Sequence, residues 1–290
     1  MNYPIEPVSG ATYNGRGQAF ENIEEVFRFT GTANDVTITD FTFDSCQYGI
    51  RGVTGNSRGL TLKNCVINNP VWEGEGKNPV LIDGGSAIHE VNMINCRAYG
   101  VAKLVDTGAS WGWVIDNCKS NGSALTPVTL VGMDHIIKDS RITNCGGAAI
   151  EVFNPYDVPG GYPTGSPNDY SGAHLIENCH IENTGSLNTA VKWAIDLDCD
   201  TATVRDCTIN QLEDTLAGVG HLIRANGFRI GIFRNTMTLP PGLYVNSSTP
   251  GYNYITNVEP TIISYYGNEY IRLDEPIIRE PTSCGVNGDC

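Results

Sequence analysis

Basic side chains are scarce in this sequence: 18 lysines and arginines face 32 aspartates and glutamates, a formal net charge of −14 over 290 residues. Nucleic acid and anionic lipid both select cationic surfaces, so this balance argues against either as a partner. Charge of any sign is thin, at 17% of residues against about 25% in ordinary globular domains. Long apolar runs are missing too. No window of about 18 apolar residues exists, so no membrane-spanning helix is expected. The opening Met1-Asn2-Tyr3-Pro4-Ile5-Glu6 has no basic segment followed by an apolar stretch, so no signal peptide is visible. Ten cysteines contain no Cys-x-x-Cys, which argues against a structural zinc site.

What is present is apolar and patterned. Hydrophobic residues make up 40% of the chain, with 4 Trp, 13 Tyr and 8 Phe, enough to build a core and exclude intrinsic disorder. Five cysteines recur in one context: Leu62-Lys63-Asn64-Cys65, Met93-Ile94-Asn95-Cys96, Ile115-Asp116-Asn117-Cys118, Ile176-Glu177-Asn178-Cys179 and Val204-Arg205-Asp206-Cys207. Aligning on the Asn or Asp adds Asp40, Asp139, Asn235 and, more weakly, Asn268. The nine positions are spaced 24, 31, 22, 22, 39, 28, 29 and 33 residues apart. A floor of 22 with variable excess describes a fixed unit carrying loops of different length.

Within a unit the apolar residues alternate with period 2, as in Leu60-Thr61-Leu62, which fits strands and not helices. A first apolar run lies about ten residues before the Asn/Asp (Val128-Thr129-Leu130, Ile195-Asp196-Leu197, Ile223-Arg224-Ala225), and a third follows it (Cys65-Val66-Ile67). Three short strands per unit predict a parallel β-helix whose rungs stack at about 4.8 Å. The Asn/Asp marks the bend between second and third strands, where a short polar side chain tolerates unusual backbone angles. The cysteines at 65, 96, 118, 179 and 207 then point inward as a stack of buried free thiols, with Phe41, Ser140 and Thr236 in the same position. Cys284 and Cys290, in a short Gly-containing loop, are the one plausible disulfide.

The Asn ladder and three-strand rung resemble the right-handed parallel β-helix (pectin-lyase-like) superfamily over about residues 26–270. The implied fold is all-β: one solenoid domain of about nine rungs, with 1–25 as an amino-terminal cap and 271–290 as a carboxy-terminal tail. The resemblance implies carbohydrate chemistry in general: that superfamily holds polysaccharide lyases, polygalacturonases, epimerases and phage tailspikes, and fold alone does not choose among them. The Gly-His-Gly and Arg-Ile-Lys motifs of polygalacturonases are absent; only Gly220-His221-Leu222 approaches the first. The expected location is extracellular or virion-associated, and the expected assembly a monomer or a homotrimer.

Outward positions of the first strands carry the chemistry. Taking Ile or Val as inward, the outward column reads Arg51, Asp83, Asp106, Thr129, Glu151, Asp196, Arg224 and then Tyr244. Glu151 and Asp196 fall on adjacent rungs, with Asp198 two residues further along. Carboxylates at such separations suit the acid and the nucleophile or base of glycosidic hydrolysis. An acidic surface ladder or a calcium site is the competing reading; no other metal and no cofactor is expected. The longest interval holds a loop, 154–171, with Tyr156, Tyr162 and Tyr170, and a second loop, 185–192, enters the Asp196 strand. The two would border a cleft in which the tyrosines stack on sugar rings, while Lys192, His221 and Arg224 bind substrate. Hydrolysis of a polysaccharide leads; β-elimination by a lyase and non-catalytic glycan binding stay open. Two further columns are expected: Trp113, His135 and His174 inward as a core stack, and Arg97, Lys119, Arg141 and His180 outward as a basic stripe on the third strands.

Overall fold

The structure is a computed structural model that describes residues 4–69, 79–153, 173–185, 193–199, 201–211, 221–226, 229–239, 255–257, 262–272 and 278–279. Among them every regular element is a strand. Three long sheets of 10, 9 and 11 strands run the length of the molecule. Each strand pairs in parallel with its counterparts in the neighbouring rungs, as Ile150 does with Val128 on one side and Ile195 on the other. Among the described residues one antiparallel pair closes the third-strand sheet, where Ile278–Arg279 lies against Glu269–Arg272.

Stacking converts period 2 into columns. Inward on the first-strand sheet stand Phe27, Ile50, Ile82, Val105, Val128, Ile150, Ile195 and Ile223, each fully buried over its neighbour. Ile38, Leu62, Met93, Ile115, Ile137, Ile176, Val204 and Ile232 do the same on the second-strand sheet. A rung has no second layer of its own to cover these side chains, so the neighbours above and below complete the core. Each buried aliphatic side chain contributes about 1.5–3 kcal/mol of transfer free energy.

The bends hold left-handed residues, as the Asn/Asp pattern implied. Asp40, Asn64, Asn95, Asn117, Asp139, Asn178 and Asp206 all have φ between 50° and 60°. Their side chains bond from rung to rung: the Asn64 amide donates to Asp40 at 2.9 Å, Asn95 to Asn64 at 2.8 Å and Asn178 to Asp139 at 2.6 Å. The last two bends differ from the sequence expectation. Arg234 (φ 53°) and Gly267 (φ 67°) take the left-handed positions, so Asn235 and Asn268 sit one residue later, in the inward column. Arg234 keeps the ladder intact by a bidentate ion pair with Asp206, at 2.7 and 2.6 Å. Thr236, expected inward, is consequently the first residue of the third strand and pairs with Thr208.

That shift has a physical reason. At five of the bends the inward residue receives the backbone N–H of its counterpart one rung earlier. Cys118 Sγ accepts from Cys96 N at 3.4 Å, Ser140 Oγ from Cys118 N at 3.1 Å and Cys207 Sγ from Cys179 N at 3.4 Å. Asn235 Oδ1 accepts from Cys207 N and Asn268 Oδ1 from Asn235 N, both at 2.9 Å. From Cys118 onward these positions suit a compact side chain with an acceptor atom, and thiol, hydroxyl and amide all qualify, whereas Phe41 fills the column at the amino-terminal end by packing. The five expected ladder thiols and Cys46 are free and buried, and Cys145 and Cys199 are buried as well.

Both ends follow from the same need to cover open strands. Thr12–Asn14 and Ala19–Glu21 already pair with the second- and third-strand sheets, so the ladder begins ahead of residue 26 and the expected cap 1–25 is partly rung. Phe20 closes that end by stacking on Phe41 at 5.4 Å between ring centroids. Cys284 and Cys290 lie outside the described residues.

Candidate functional site on the first-strand face

The outward column has the expected register. Arg51 is the Cα partner of Asp83, Asp83 of Asp106, Asp106 of Thr129, Thr129 of Glu151, Glu151 of Asp196 and Asp196 of Arg224. In backbone register Thr256 follows Arg224 in the next rung, and Arg28 precedes Arg51. Tyr244, expected in that final rung, lies outside the described residues, as do Tyr156, Tyr162, Tyr170 and Lys192. His221 begins its strand opposite Trp193.

Glu151 and Asp196 thus stand side by side on adjacent strands, about 4.8 Å apart at the backbone. Glu151 is half-buried, and burial is the main cause that raises its carboxyl pKa. A hydrogen bond from Thr126 opposes the rise, and the charge of Asp196 adds to it. Asp196 is only 3% exposed, and its pKa is also raised by burial. Arg224 opposes that rise through a 2.6 Å bond from Nε to Oδ1, while Asp198 reinforces it. The second guanidinium nitrogen of Arg224 reaches Asp198 at 3.6 Å. All three carboxylates and Arg224 therefore form one cluster. Asp83, in the same column, is likewise raised chiefly by burial.

Four contributors were not anticipated. Lys103 bonds Asp106 at 2.6 Å. Trp193 supports Arg224, whose guanidinium carbon lies 4.4 Å from the ring centroid. Tyr48 supports Arg51 in the same manner at 4.6 Å. Glu25 is buried between Arg28 and Arg51; burial raises its pKa, but the two guanidinium partners outweigh that and lower it overall. Glu25, Tyr48, Lys103 and Trp193 share one property: each is the first residue of its first strand. The chain has just left a bend there, so inward–outward alternation does not yet apply. Comparing the same register from rung to rung would have found them. The face that results is acidic in the middle and has an arginine stacked on an aromatic ring toward each end.

Residues 26–158 match the family model described as "Right handed beta helix region". Neither the curated proteins nor the solved structures gave a match to the chain. Three parallel sheets wound rung upon rung make the chain a parallel β-helix, and over residues 26–158 it is similar to that family.

Proposed function

We propose that this protein degrades a polysaccharide, hydrolysing glycosidic bonds on the first-strand face with Glu151 and Asp196. The observation that carries the reading is the pairing of these two carboxyls on adjacent rungs, each with its pKa raised by burial. Crowded carboxyls separate into a protonated and an ionised member, as an acid and its partner require. Glu151 has no ion-pair partner among the described residues and is the proton donor to the leaving oxygen. Asp196, held by Arg224, is the ionised partner that attacks the sugar or activates water. Backbone spacing of about 4.8 Å is near the roughly 5–5.5 Å carboxyl separation of retaining enzymes, so retention at the anomeric carbon is expected. Asp198 shares Arg224 and tunes its hold on Asp196.

One observation favours a second reading. Asp196 is 3% exposed and engaged by Arg224, an arrangement that also suits a structural pair in a groove that binds glycan without cleaving it. A polysaccharide panel separates the alternatives when reducing ends and ultraviolet absorbance of unsaturated products are both measured. New reducing ends without absorbance support hydrolysis; both together support β-elimination; binding with neither supports the non-catalytic reading. On a cleaved substrate, Glu151→Gln and Asp196→Asn each lower turnover by about 10²-fold or more while binding survives. Full activity in both variants would remove this pair from the mechanism.

A further inference from the structure

The third-strand sheet carries a surface of opposite sign, and we propose that it binds a linear acidic polysaccharide, separately from the first-strand face. Arg97 is the Cα partner of Lys119, Lys119 of Arg141 and Arg141 of His180, so four basic side chains form one outward column. At about 4.8 Å per rung the column extends roughly 14 Å along the solenoid axis. Lys119 and Arg141 are exposed, and Arg97 and His180 are half-buried.

Their surroundings set this column apart from an ordinary solvated face. The strands Val66–Asn69, Arg97–Gly100, Lys119–Asn121 and Arg141–Thr143 lie side by side and contain no acidic residue, in a chain with 32 of them. Among the described residues, carboxylates stand at the borders of this patch. Asp44 precedes the patch, Asp139 lies at the bend before Arg141, and Glu182 follows the patch and takes both Arg141 (3.4 Å) and His180 (2.9 Å). Arg97 and Lys119 have no ion-pair partner among the described residues. Tyr99 and Asn121, outward in the neighbouring column, offer a ring face and an amide beside the two unpaired cations. Cations one rung apart, flanked by an aromatic and an amide, suit a chain of sugars that bears an anionic group on each unit. A single aromatic is a poor platform for successive nucleic-acid bases, which require several. The acidic first-strand face repels the same ligand, so it is steered to this side.

The test is affinity electrophoresis of the native protein at low ionic strength in gels containing polygalacturonate, with dextran gels as the uncharged comparison. Retardation in polygalacturonate alone is expected, weakening as salt is added. The double reversal Arg97→Glu/Lys119→Glu should weaken binding at least about tenfold. It should leave circular dichroism unchanged and thermal unfolding nearly so, since Lys119 is exposed and the half-buried Arg97 points outward from the sheet. Charge removal by Lys119→Gln should have a smaller effect in the same direction. No retardation of the parent protein would overturn the proposal. So would retardation that survives the double reversal but is lost in Arg224→Ala, because the ligand would then occupy the first-strand face. Equal retention of a single-stranded oligonucleotide would also overturn it, by reducing the site to a general polyanion contact. Each of these outcomes is independent of whether the first-strand face cleaves anything.

Discussion

Two imidazoles in the core make this fold acid-sensitive well above the usual carboxylate range. His135 and His174 are 1% and 4% exposed, with ring centroids 5.2 Å apart beneath fully buried Trp113. Each ring accepts a backbone N–H through Nδ1, from Trp113 and His135 respectively, at 3.4 Å. Burial is the leading cause that lowers their pKa values, to about 3 for His135 and about 4 for His174. An unfolded histidine titrates near 6.5. The folded values are depressed, so the stabilisation is complete above about pH 6.5 and is lost as pH falls toward 4. At pH 5 the unfolded chain has bound both protons and the folded chain almost none, a difference of about 2 kcal/mol per histidine, or about 4 kcal/mol for the pair. For a domain of this size that is a fall of roughly 8 °C in Tm between pH 7.5 and pH 5.

Burial raises the pKa of Asp83, Glu151 and Asp196, which has the opposite sign: those groups favour the fold as pH falls through their folded values. A direct comparison removes them. The double variant His135→Asn/His174→Asn keeps an acceptor near each Nδ1 position and deletes the titrating groups. Its Tm will be lower throughout because ring packing is lost. Its drop from pH 7.5 to 5 should nevertheless be smaller than the parent's by roughly 8 °C. Equal drops in parent and variant would refute the reasoning, because the rings would then have to be solvated or already charged in the native state. His89, stacked on Trp111 and lowered by burial to about 4, contributes in the same direction and remains in both proteins.

Other consequences are equally direct. Asn235→Ala removes the acceptor for Cys207 N and the donor to Val204 O, and should cost about 2–3 kcal/mol in denaturant unfolding. Asn235→Cys should recover part of that loss, because sulfur fills the same role at Cys118 and Cys207. Gly132→Ala would set a methyl 1.7 Å from the Ser110 carbonyl oxygen at a φ of +134°, so a loss of more than about 2 kcal/mol is expected in thermal unfolding. The thiols at 65, 96, 118, 179 and 207 should resist a maleimide reagent in the native protein and react only on unfolding, as read by mass spectrometry; rapid native labelling would contradict their burial.

The sequence made the columns legible because strand alternation is geometrically rigid. Once Ile150 and Ile195 are taken as inward, Glu151 and Asp196 have one direction left, and stacking makes residues 45 apart into neighbours. The same logic placed Trp113, His135 and His174 in one stack and Arg97, Lys119, Arg141 and His180 in another. It failed where a residue type satisfies two positions equally. Asparagine adopts left-handed angles readily and also offers an amide acceptor, so Asn235 and Asn268 fit both the bend and the inward ladder. Arginine in the left-handed region runs against its own preference, and only its bidentate grip on Asp206 explains why the bend falls at Arg234. Lys103 and Trp193 escaped for a different reason: the first residue after a bend points where the bend directs it. Each of them touches the acidic face through a partner in its own strand or in the next rung, Asp106 in one case and Arg224 in the other. A solenoid sequence therefore yields its site most completely when every register of the rung is compared down the stack, bend positions included, because neighbours in this fold are set by register and not by distance along the chain.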